Sequence, residues 1–316
     1  MARAFLFPGQ GAQTIGMGRD LAEAYPAARA VFDEVDAALR APLSRLIWEG
    51  DSSELTLTEN AQPALMATSI AALRALESEG QGIETAAFVA GHSLGEYSAL
   101  CAAGALGLGD AARLLRLRGQ VMQAAVPVGE GAMAALLGLD VAAAEAVAAE
   151  AAGAEVCEAA NDNDPAQVVV SGHRGAVERA VEIARARGAK RAILLPVSAP
   201  FHCALMAPAA EAMAAALAEV AIAPPVVPVV ANVRAAGVTD PEEIRRLLVE
   251  QVTGRVRWRE SVLWMAGQGV TETVELGAGK ALSGMVRRIA PQIATKAVGT
   301  AAEARALAAA AEVEGS

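Results

Sequence analysis

The segment that most constrains the fold lies at residues 86–95, where a short apolar run, AAFVA, leads directly into GHSLG. The residues that follow, EYSALCAAG, have helical spacing. G-x-S-x-G between a strand and a helix is typical of a nucleophile elbow, a turn so sharp that the residues flanking the serine must lack bulk. The segment therefore predicts an α/β fold in which Ser93 stands at the N-terminus of a helix with its hydroxyl exposed.

Strand-like and helical patterns alternate through most of the 316 residues. Strands are predicted at 4–7, 86–90, 227–231, 272–276 and 294–298, and helices at 18–39, 60–79, 110–125, 204–219, 240–252, 258–268, 280–289 and 301–311. Residues 128–197 differ, with strands at 132–138, 155–160, 167–171 and 190–196 and helices at 141–152 and 175–187. This βαββαβ order is typical of a ferredoxin-like subdomain. We expect a discontinuous α/β domain, residues 1–127 and 198–316, that carries residues 128–197 as an insertion.

Composition and charge exclude several classes of protein. Apolar residues make up 54% of the chain and charged residues 20%, which excludes intrinsic disorder. The net charge of −10 argues against nucleic acid as a partner, because neutralising phosphates needs a basic surface. The three cysteines, Cys101, Cys157 and Cys203, form no CxxC pair or Cys/His cluster, so neither a disulfide framework nor a metal site is expected. No signal peptide and no run of about 18 apolar residues is present, and we expect a soluble cytoplasmic protein with no membrane contact.

A serine nucleophile needs a base, and the chain has three histidines. His202 follows a predicted strand where the chain returns from the insertion, a junction that can face a cleft, and it is assigned as the base. His92 lies inside the elbow, where its side chain points away from that of Ser93, and it is assigned a packing role. His173 begins a predicted helix and is expected to cap that helix or to face solvent.

The helix DAARLLRLRGQVMQAA carries an arginine on its apolar face. At 100° per residue, the middle of the arc formed by Leu114, Leu117, Val121 and Met122 is occupied by Arg118. A guanidinium there must have a partner, because an unpaired buried charge is costly. Two interpretations stay open: an internal salt bridge to a protein carboxylate, or a fork that binds a substrate carboxylate through two hydrogen bonds.

Two glycine-rich segments follow predicted strands. FPGQGAQ at 7–13 can present backbone N–H groups to an anion. The chain has no G-x-G-x-x-G, and GAGKA at 277–281 lacks the upstream glycine and the Ser/Thr of a P-loop, so it is interpreted as a tight turn. No nucleotide cofactor is expected.

Six motifs, taken together, resemble one family. They are FPGQGAQ at 7–13, GHSLGEYSAL at 91–100, LRGQVMQ at 117–123, ANDNDPAQVVVSG at 160–172, VSAPFHC at 197–203 and VELGAGKALSG at 274–284. In this order they are similar to the malonyl-CoA:acyl carrier protein transacylases, the stand-alone relatives of acyltransferase domains in polyketide and fatty acid synthases. The resemblance implies an α/β-hydrolase-like large subdomain, a ferredoxin-like small subdomain and an active site between them.

Matched position by position, the resemblance implies roles for individual residues. Ser93 would be the nucleophile, His202 its base and Arg118 the group that binds the substrate carboxylate. The N–H groups of Gln10 and Leu94 would form the oxyanion hole. The remaining matches are Gln251, whose main-chain carbonyl would orient the histidine, and the pocket positions His92, Met122, Asn161, Ser198, Phe201 and Asn232. Phe201 stands where bacterial members often carry serine, and it resembles the malonyl-selective acyltransferase domains in this respect.

The activity implied by the resemblance is transfer of a malonyl group from malonyl-CoA, a substrate, to the phosphopantetheine thiol of acyl carrier protein through a malonyl-serine. The sequence leaves open whether the product serves fatty acid or polyketide synthesis. One alternative is a serine esterase or thioesterase on the same elbow, which requires an acid in the order Ser…Asp/Glu…His. Another is an inactive scaffold that binds acyl carrier protein. A monomer without cofactor or metal is expected.

Docking of an acidic carrier protein needs a local basic cluster, because a chain of charge −10 repels it at long range. Two clusters qualify: a C-terminal cluster of Lys280, Arg287 and Arg288, and a small-subdomain cluster of Arg185, Arg187, Lys190 and Arg191. The C-terminal cluster is favoured, since it follows a turn at the carboxyl end of a predicted strand, where α/β active sites open.

Overall fold

The computed structural model describes residues 2–314, whose strands form two sheets. The six-stranded sheet of the large subdomain contains β1 (Ala2–Phe7), β2 (Phe88–Gly91), β7 (Val229–Ala231), β8 (Ala236–Val238), β9 (Val270–Leu276) and β10 (Ala294–Val298). The four-stranded sheet of the small subdomain contains β3 (Gly131–Leu137), β4 (Cys157–Asp164), β5 (Gln167–His173) and β6 (Arg191–Leu194). The helices are α1 (Arg19–Ala24), α2 (Pro26–Leu39), α3 (Leu43–Glu49), α4 (Ser52–Thr56), α5 (Thr58–Ser78), α6 (Gly95–Ala102), α7 (Leu108–Ala124), α8 (Val141–Ala152), α9 (Arg174–Ala186), α10 (Ala207–Ala218), α11 (Pro241–Thr253), α12 (Trp258–Gly267), α13 (Ala281–Ile289) and α14 (Ala301–Glu314). The predicted α/β fold with a βαββαβ insertion is confirmed, whereas the subdomain limits at 127/128 and 197/198 stay a prediction.

The large sheet has the strand order β10-β9-β1-β2-β7-β8, and only β8 at its edge runs antiparallel to its neighbour. Strand β1 is buried over its last four residues, as expected for a parallel strand covered by helices on both faces. In the register of β1 and β2, Phe7 lies opposite Gly91. The FPGQ loop and the serine turn therefore leave the sheet side by side, at the carboxyl ends of adjacent parallel strands.

The small sheet is antiparallel throughout, in the order β4-β5-β3-β6. Helices α8 and α9 pack together against it, and their small apolar residues form a separate core with the strands. The apolar period of α9 supports this packing, because its buried positions Val177, Ala180, Val181 and Ala184 recur every three to four residues. The ferredoxin-like order predicted for this segment is confirmed.

The NDND segment, Asn161 to Asp164 at the end of β4, joins the two subdomains. The Asp162 N–H donates to the Val256 carbonyl at 2.9 Å, so the edge of the small sheet pairs with a segment of the large subdomain. The carboxylate of Asp162 is paired with Arg259 at 2.9 Å, and that of Asp164 with Arg288 at 2.7 Å. Both carboxylates are buried, and breaking either pair would leave an uncompensated charge between the subdomains.

Several predicted boundaries differ from the structure. The helix predicted at 18–39 is two helices, because Tyr25 is extended and Pro26 begins α2, where a missing N–H costs nothing. The short elements α3, α4 and β8 were not predicted. Strand 155–160 is shifted and longer, since β4 continues through the buried NDND segment, and strand 190–196 ends earlier, at Leu194.

Within residues 2–314, no helix combines the length and the apolar character that a membrane crossing needs. Over the same range, no group of three or more His, Cys, Asp or Glu side chains is arranged to hold a metal ion. The three cysteines are buried free thiols.

Candidate active site

A cavity of about 320 Å³ opens between the two subdomains, above the carboxyl ends of β1 and β2. The large subdomain contributes the FPGQ loop, the serine turn and α7. The small subdomain contributes Met133 on β3 and Asn161 on β4, and the chain returning from it contributes residues 195–197. A cleft at this edge of an α/β sheet is where ligands of such folds bind.

The serine turn is a strained backbone held in place from outside. Ser93 has a φ of +55°, a left-handed conformation that a non-glycine residue adopts only under constraint. A Cβ on Gly91 would lie 1.9 Å from the Gly95 carbonyl group, and a Cβ on Gly95 would lie 2.2 Å from the Phe7 oxygen, so both flanking positions require glycine. Asn232 fastens the turn, because its Oδ1 accepts from the Ser93 N–H and its Nδ2 donates to the Gly91 carbonyl, each at 2.7 Å.

His202 forms a hydrogen-bonded pair with this serine. Its Nε2 lies 2.7 Å from Ser93 Oγ, and its Nδ1 donates to the main-chain carbonyl of Gln251 at 2.9 Å. Burial, and then the positive charge of Arg118, lower the pKa of His202 to about 3. The imidazole is therefore neutral at physiological pH, with Nε2 free to accept the serine proton.

Two main-chain N–H groups beside Ser93 have no hydrogen-bond partner among the described residues. They belong to Gln10, in the FPGQ loop, and to Leu94, the residue after the serine. Both residues line the cavity. This is the arrangement expected of donors that wait for a developing oxyanion.

Arg118 is 1% exposed and borders the cavity from α7. Its Nη1 donates to Gln62 Oε1 at 2.8 Å, while its Nη2 donates to Gln251 Oε1 at 2.9 Å and to Ser93 Oγ at 3.2 Å. Among the described residues it forms no salt bridge with a carboxylate, so the internal ion pair considered from the sequence is wrong. The burial predicted from the helical period is confirmed.

Three residues around Arg118 escaped the sequence analysis in whole or in part. Gln62 of α5 lines the cavity, and the side chain of Gln251 bonds Arg118 independently of its main-chain carbonyl. Glu96 is 2% exposed beneath the serine turn, where burial raises its pKa to about 7. Since α6 is buried on every side, it has no polar face whose period singles out Glu96. The signal for Glu96 that the sequence did contain is an ionisable residue in a helix that has no polar face.

The other predicted pocket residues fall into two groups. Four of them line the cavity: His92, Met122, Asn161 and Phe201. His92 donates from Nε2 to Asn163 Oδ1 at 2.8 Å, which connects the serine turn to the NDND segment. The structure places the other two elsewhere: Ser198 is exposed and bonds Gln123, and Asn232 supports the turn from behind.

One further expectation, for His173, meets the structure here, and a buried carboxylate, Glu275, also has a defined role. His173 does not cap α9; its Nδ1 accepts a hydrogen bond from the Val156 N–H at 2.9 Å, which helps to hold β5 against the start of β4. Glu275 lies at the carboxyl end of β9 and accepts from the N–H groups of Leu282 and Ser283, so this carboxylate caps the first turn of α13.

The comparisons with known proteins agree with this geometry. The family model described as an acyl transferase domain matches residues 4–282. The chain is 50% identical over 296 residues to the malonyl CoA-acyl carrier protein transacylase of Bacillus subtilis (strain 168), covering 93% of this chain and 92% of the relative. The chain belongs to the malonyl CoA-acyl carrier protein transacylase family. The corresponding protein of Escherichia coli (strain K12) is 47% identical over 310 residues, covering 98% of this chain and 99% of the relative.

Solved members of this family share the fold. The acyl-carrier-protein S-malonyltransferase of Bartonella henselae superimposes with a TM-score of 0.96 at 56% identity, covering 100% of both chains. A malonyl-transacylase solved in complex with a type II PKS acyl-carrier protein superimposes with a TM-score of 0.93 at 42% identity, covering 96% of this chain and 98% of that one. The fold class predicted from the sequence is thereby confirmed at the level of whole chains.

Proposed function

We propose that the protein transfers a malonyl group from malonyl-CoA to the phosphopantetheine thiol of acyl carrier protein, through a malonyl ester on Ser93. One observation carries the proposal: a serine–histidine pair shares its cavity with a buried guanidinium that forms no direct contact with a carboxylate among the described residues. A thioester donor that itself bears a carboxylate supplies both groups that this cavity lacks. The names of the relatives and the neighbour bound to an acyl-carrier protein support the same substrates.

In the first half-reaction, Ser93 Oγ attacks the thioester carbonyl of malonyl-CoA while its proton passes to His202 Nε2, 2.7 Å away. The oxyanion that forms is stabilised by the N–H groups of Gln10 and Leu94. The C–S bond then breaks, and the CoA sulfur leaves with the proton that His202 returns. The Gln251 carbonyl keeps Nδ1 protonated, so the imidazole accepts and releases the proton at Nε2 only.

In the second half-reaction, the phosphopantetheine thiol of acyl carrier protein gives its proton to His202 and attacks the malonyl ester. The ester C–O bond breaks, Ser93 recovers its proton, and malonyl-carrier protein leaves. Throughout, Arg118 holds the malonyl carboxylate, which fixes the acyl carbonyl in one orientation toward the oxyanion donors. A fixed acyl group favours attack by a thiol that is itself positioned in the cavity, and this limits loss of the ester to water.

The hydrogen bond at His202 Nδ1 argues against the esterase alternative. A Ser…Asp/Glu…His enzyme places a carboxylate on that nitrogen, whereas here the acceptor is a main-chain carbonyl. A carbonyl orients the imidazole but does not stabilise an imidazolium as strongly as a carboxylate does. The inactive scaffold is disfavoured by a complete set of serine, histidine and free oxyanion donors.

Intact-mass spectrometry tests the proposed function. Protein incubated with malonyl-CoA should gain one malonyl group within seconds and lose it again when acyl carrier protein bearing its phosphopantetheine is added. A hydrolase would release malonate from the donor without a lasting adduct. A scaffold would keep its mass unchanged, and either result would overturn the proposal.

We also propose that the protein works in the cytoplasm as a monomer and needs neither a metal nor an organic cofactor for this reaction. The chemistry described above is complete with the side chains present, since each proton moves between serine, histidine and thiol. Light scattering coupled to size-exclusion chromatography tests the monomer. Unchanged malonyl transfer after dialysis against a chelator tests the statement about metals.

A further inference from the structure

The hydrogen bonds around Arg118 leave its charge without a direct counter-ion. The protein acceptors of its guanidinium are two amide oxygens and one hydroxyl, all neutral. A guanidinium that is 1% exposed is costly without a negative charge nearby. A carboxylate in direct contact, however, would occupy the very donors that a substrate carboxylate needs.

Glu96 is the carboxylate that is linked to this guanidinium through the side-chain amide of Gln251. Its Oε2 accepts from the Asn232 N–H at 3.0 Å and from Gln251 Nε2 at 2.8 Å. Its charge and that of Arg118 act on each other, and both groups are buried. The neighbouring titratable groups are uncharged at neutral pH, because the pKa of His202 is lowered to about 3 and burial raises the pKa of Tyr97 to about 12.

The side-chain amide of Gln251 lies between the two charges and its orientation is fixed. Nε2 donates to Glu96 and, at 3.0 Å, to the Ser93 carbonyl, so Oε1 must face Arg118 Nη2. The amide dipole thus runs from the carboxylate to the guanidinium. One neutral group transmits the attraction and keeps the two ions out of contact.

We propose that Glu96 is the counter-charge of Arg118, and that the Gln251 side chain keeps the two apart so that the guanidinium stays available to the donor's carboxylate. Glu96 is then a positioning residue that touches neither substrate nor nucleophile. It lowers the cost of burying Arg118 in the free enzyme, yet it occupies none of the guanidinium's hydrogen-bond donors. This inference rests on the proposed function, since it assumes a carboxylate-bearing donor.

A measurable consequence is pH dependence of malonyl binding. Ionised Glu96 repels a second carboxylate at Arg118, and burial places its pKa at about 7. The malonyl-CoA concentration that half-saturates acylation of Ser93 should therefore rise about fivefold between pH 6 and pH 8.5. In Glu96→Gln, which keeps the acceptor oxygen but not the charge, that rise should vanish, and acylation by acetyl-CoA should show no such dependence in either protein.

An isomeric double variant tests the role of the amide as a spacer. Glu96→Gln combined with Gln251→Glu keeps the net charge and moves the carboxylate to the atom that lies 2.9 Å from Arg118 Nη2. The main-chain carbonyl that orients His202 is unchanged. Both donors share any disturbance of the Ser93 turn that follows from loss of the Gln251 Nε2 donor. The half-saturating concentration of malonyl-CoA should therefore rise by about tenfold or more relative to that of acetyl-CoA, because only malonyl-CoA loses its carboxylate site. A defect in folding alone would lower both reactions together.

Glu275→Gln is the matched control, because Glu275 is a fully buried carboxylate that accepts two main-chain N–H groups, does not line the cavity and is not bonded to Arg118 or to Gln251. It should leave the pH dependence and the malonyl-to-acetyl ratio as in the wild type. The inference is overturned if Glu96→Gln keeps the wild-type pH dependence, or if the double variant binds malonyl-CoA as the wild type does. Failure of the wild type to form a malonyl adduct would instead overturn the proposed function.

Discussion

The two walls of the cavity are built in opposite ways. The polar wall, consisting of Ser93, His202, Arg118 and Gln62, is connected by hydrogen bonds of 2.7–3.2 Å, and its strained backbone is supported from behind. The apolar wall, formed by Met122, Met133, Leu195, Val197 and Phe201, shows no hydrogen bond from its side chains among the described residues. The polar wall is thus suited to carry out the reaction, and the apolar wall to select donors by their shape. Substitutions in the polar wall should lower acylation by malonyl-CoA, whereas substitutions in the apolar wall should change which donors fit.

The largest effect is expected at the nucleophile. Ser93→Ala should abolish the malonyl adduct to the limit of intact-mass detection, while the melting temperature stays within a few degrees of the wild type, because the turn keeps its Asn232 bonds to main-chain atoms. Ser98→Ala is the control, since Ser98 lies on α6 directly after the serine turn, is fully buried, and has a hydroxyl with no partner among the described residues. An adduct that persists in the Ser93 variant would contradict the assignment.

The second prediction concerns Arg118 in the polar wall and compares an acyl donor that has a carboxylate with one that has none. Arg118→Ala should slow acylation by malonyl-CoA by about 3 kcal/mol of transition-state stabilisation, or roughly a hundredfold in kcat/KM, the scale of a charged hydrogen-bonded pair. Acetyl-CoA has no carboxylate, so its kcat/KM should fall less or rise. Stopped reactions with both donors measure the two values. Equal losses would mean that Arg118 only supports the fold.

The polar wall could be predicted largely from the sequence, and the reason is local. The GHSLG turn needs glycines at fixed offsets, and Arg118 interrupts an apolar helix face, so both leave a pattern within a few residues. Glu96 and Gln62 left no comparable pattern of spacing, because α5 and α6 are buried on nearly all sides and have no polar face against which a buried polar residue stands out. Glu96 and Gln251 are 155 residues apart in the sequence, and only the tertiary fold brings them into contact.

The sequence also could not predict which basic residues of the two clusters are already paired with carboxylates. The favoured C-terminal cluster contains Arg288, which the structure pairs with Asp164, and Lys280, which it pairs with Glu303. A charge run in a sequence does not show which of its members are already neutralised. In the small-subdomain cluster, Arg185 and Arg187 are paired with glutamates, whereas Lys190 and Arg191 are exposed and form no ion pair among the described residues.

A third prediction concerns the shape of the apolar wall. Phe201 lies next to His202 and lines the cavity, so Phe201→Ser should make room for a methyl branch on the donor. The ratio of methylmalonyl to malonyl transfer should rise about tenfold, the lower end of the discrimination that one methyl group gives in an apolar pocket. Phe201→Leu keeps most of the bulk and should shift the ratio less. An unchanged ratio in the serine variant would show that the ring does not contact the α-carbon substituent.

The smallest effect is expected at the start of strand β6, on the chain segment that leads into the apolar wall, where we expect the carrier protein to approach. Strand β6 begins at Arg191 and leads to Leu195 and Val197 in the cavity, so the unpaired cations Lys190 and Arg191 stand on the chain that enters it. Arg191→Glu should raise the KM for acyl carrier protein about threefold at low salt, less at high salt, and leave malonylation by CoA nearly unchanged. Arg287→Glu is the control, because Arg287 is an exposed cation in the other cluster and its Nε bonds only a main-chain carbonyl of its own helix. A larger effect at Arg287 than at Arg191 would place the docking surface at the C-terminal cluster instead, away from the chain segment that leads into the apolar wall.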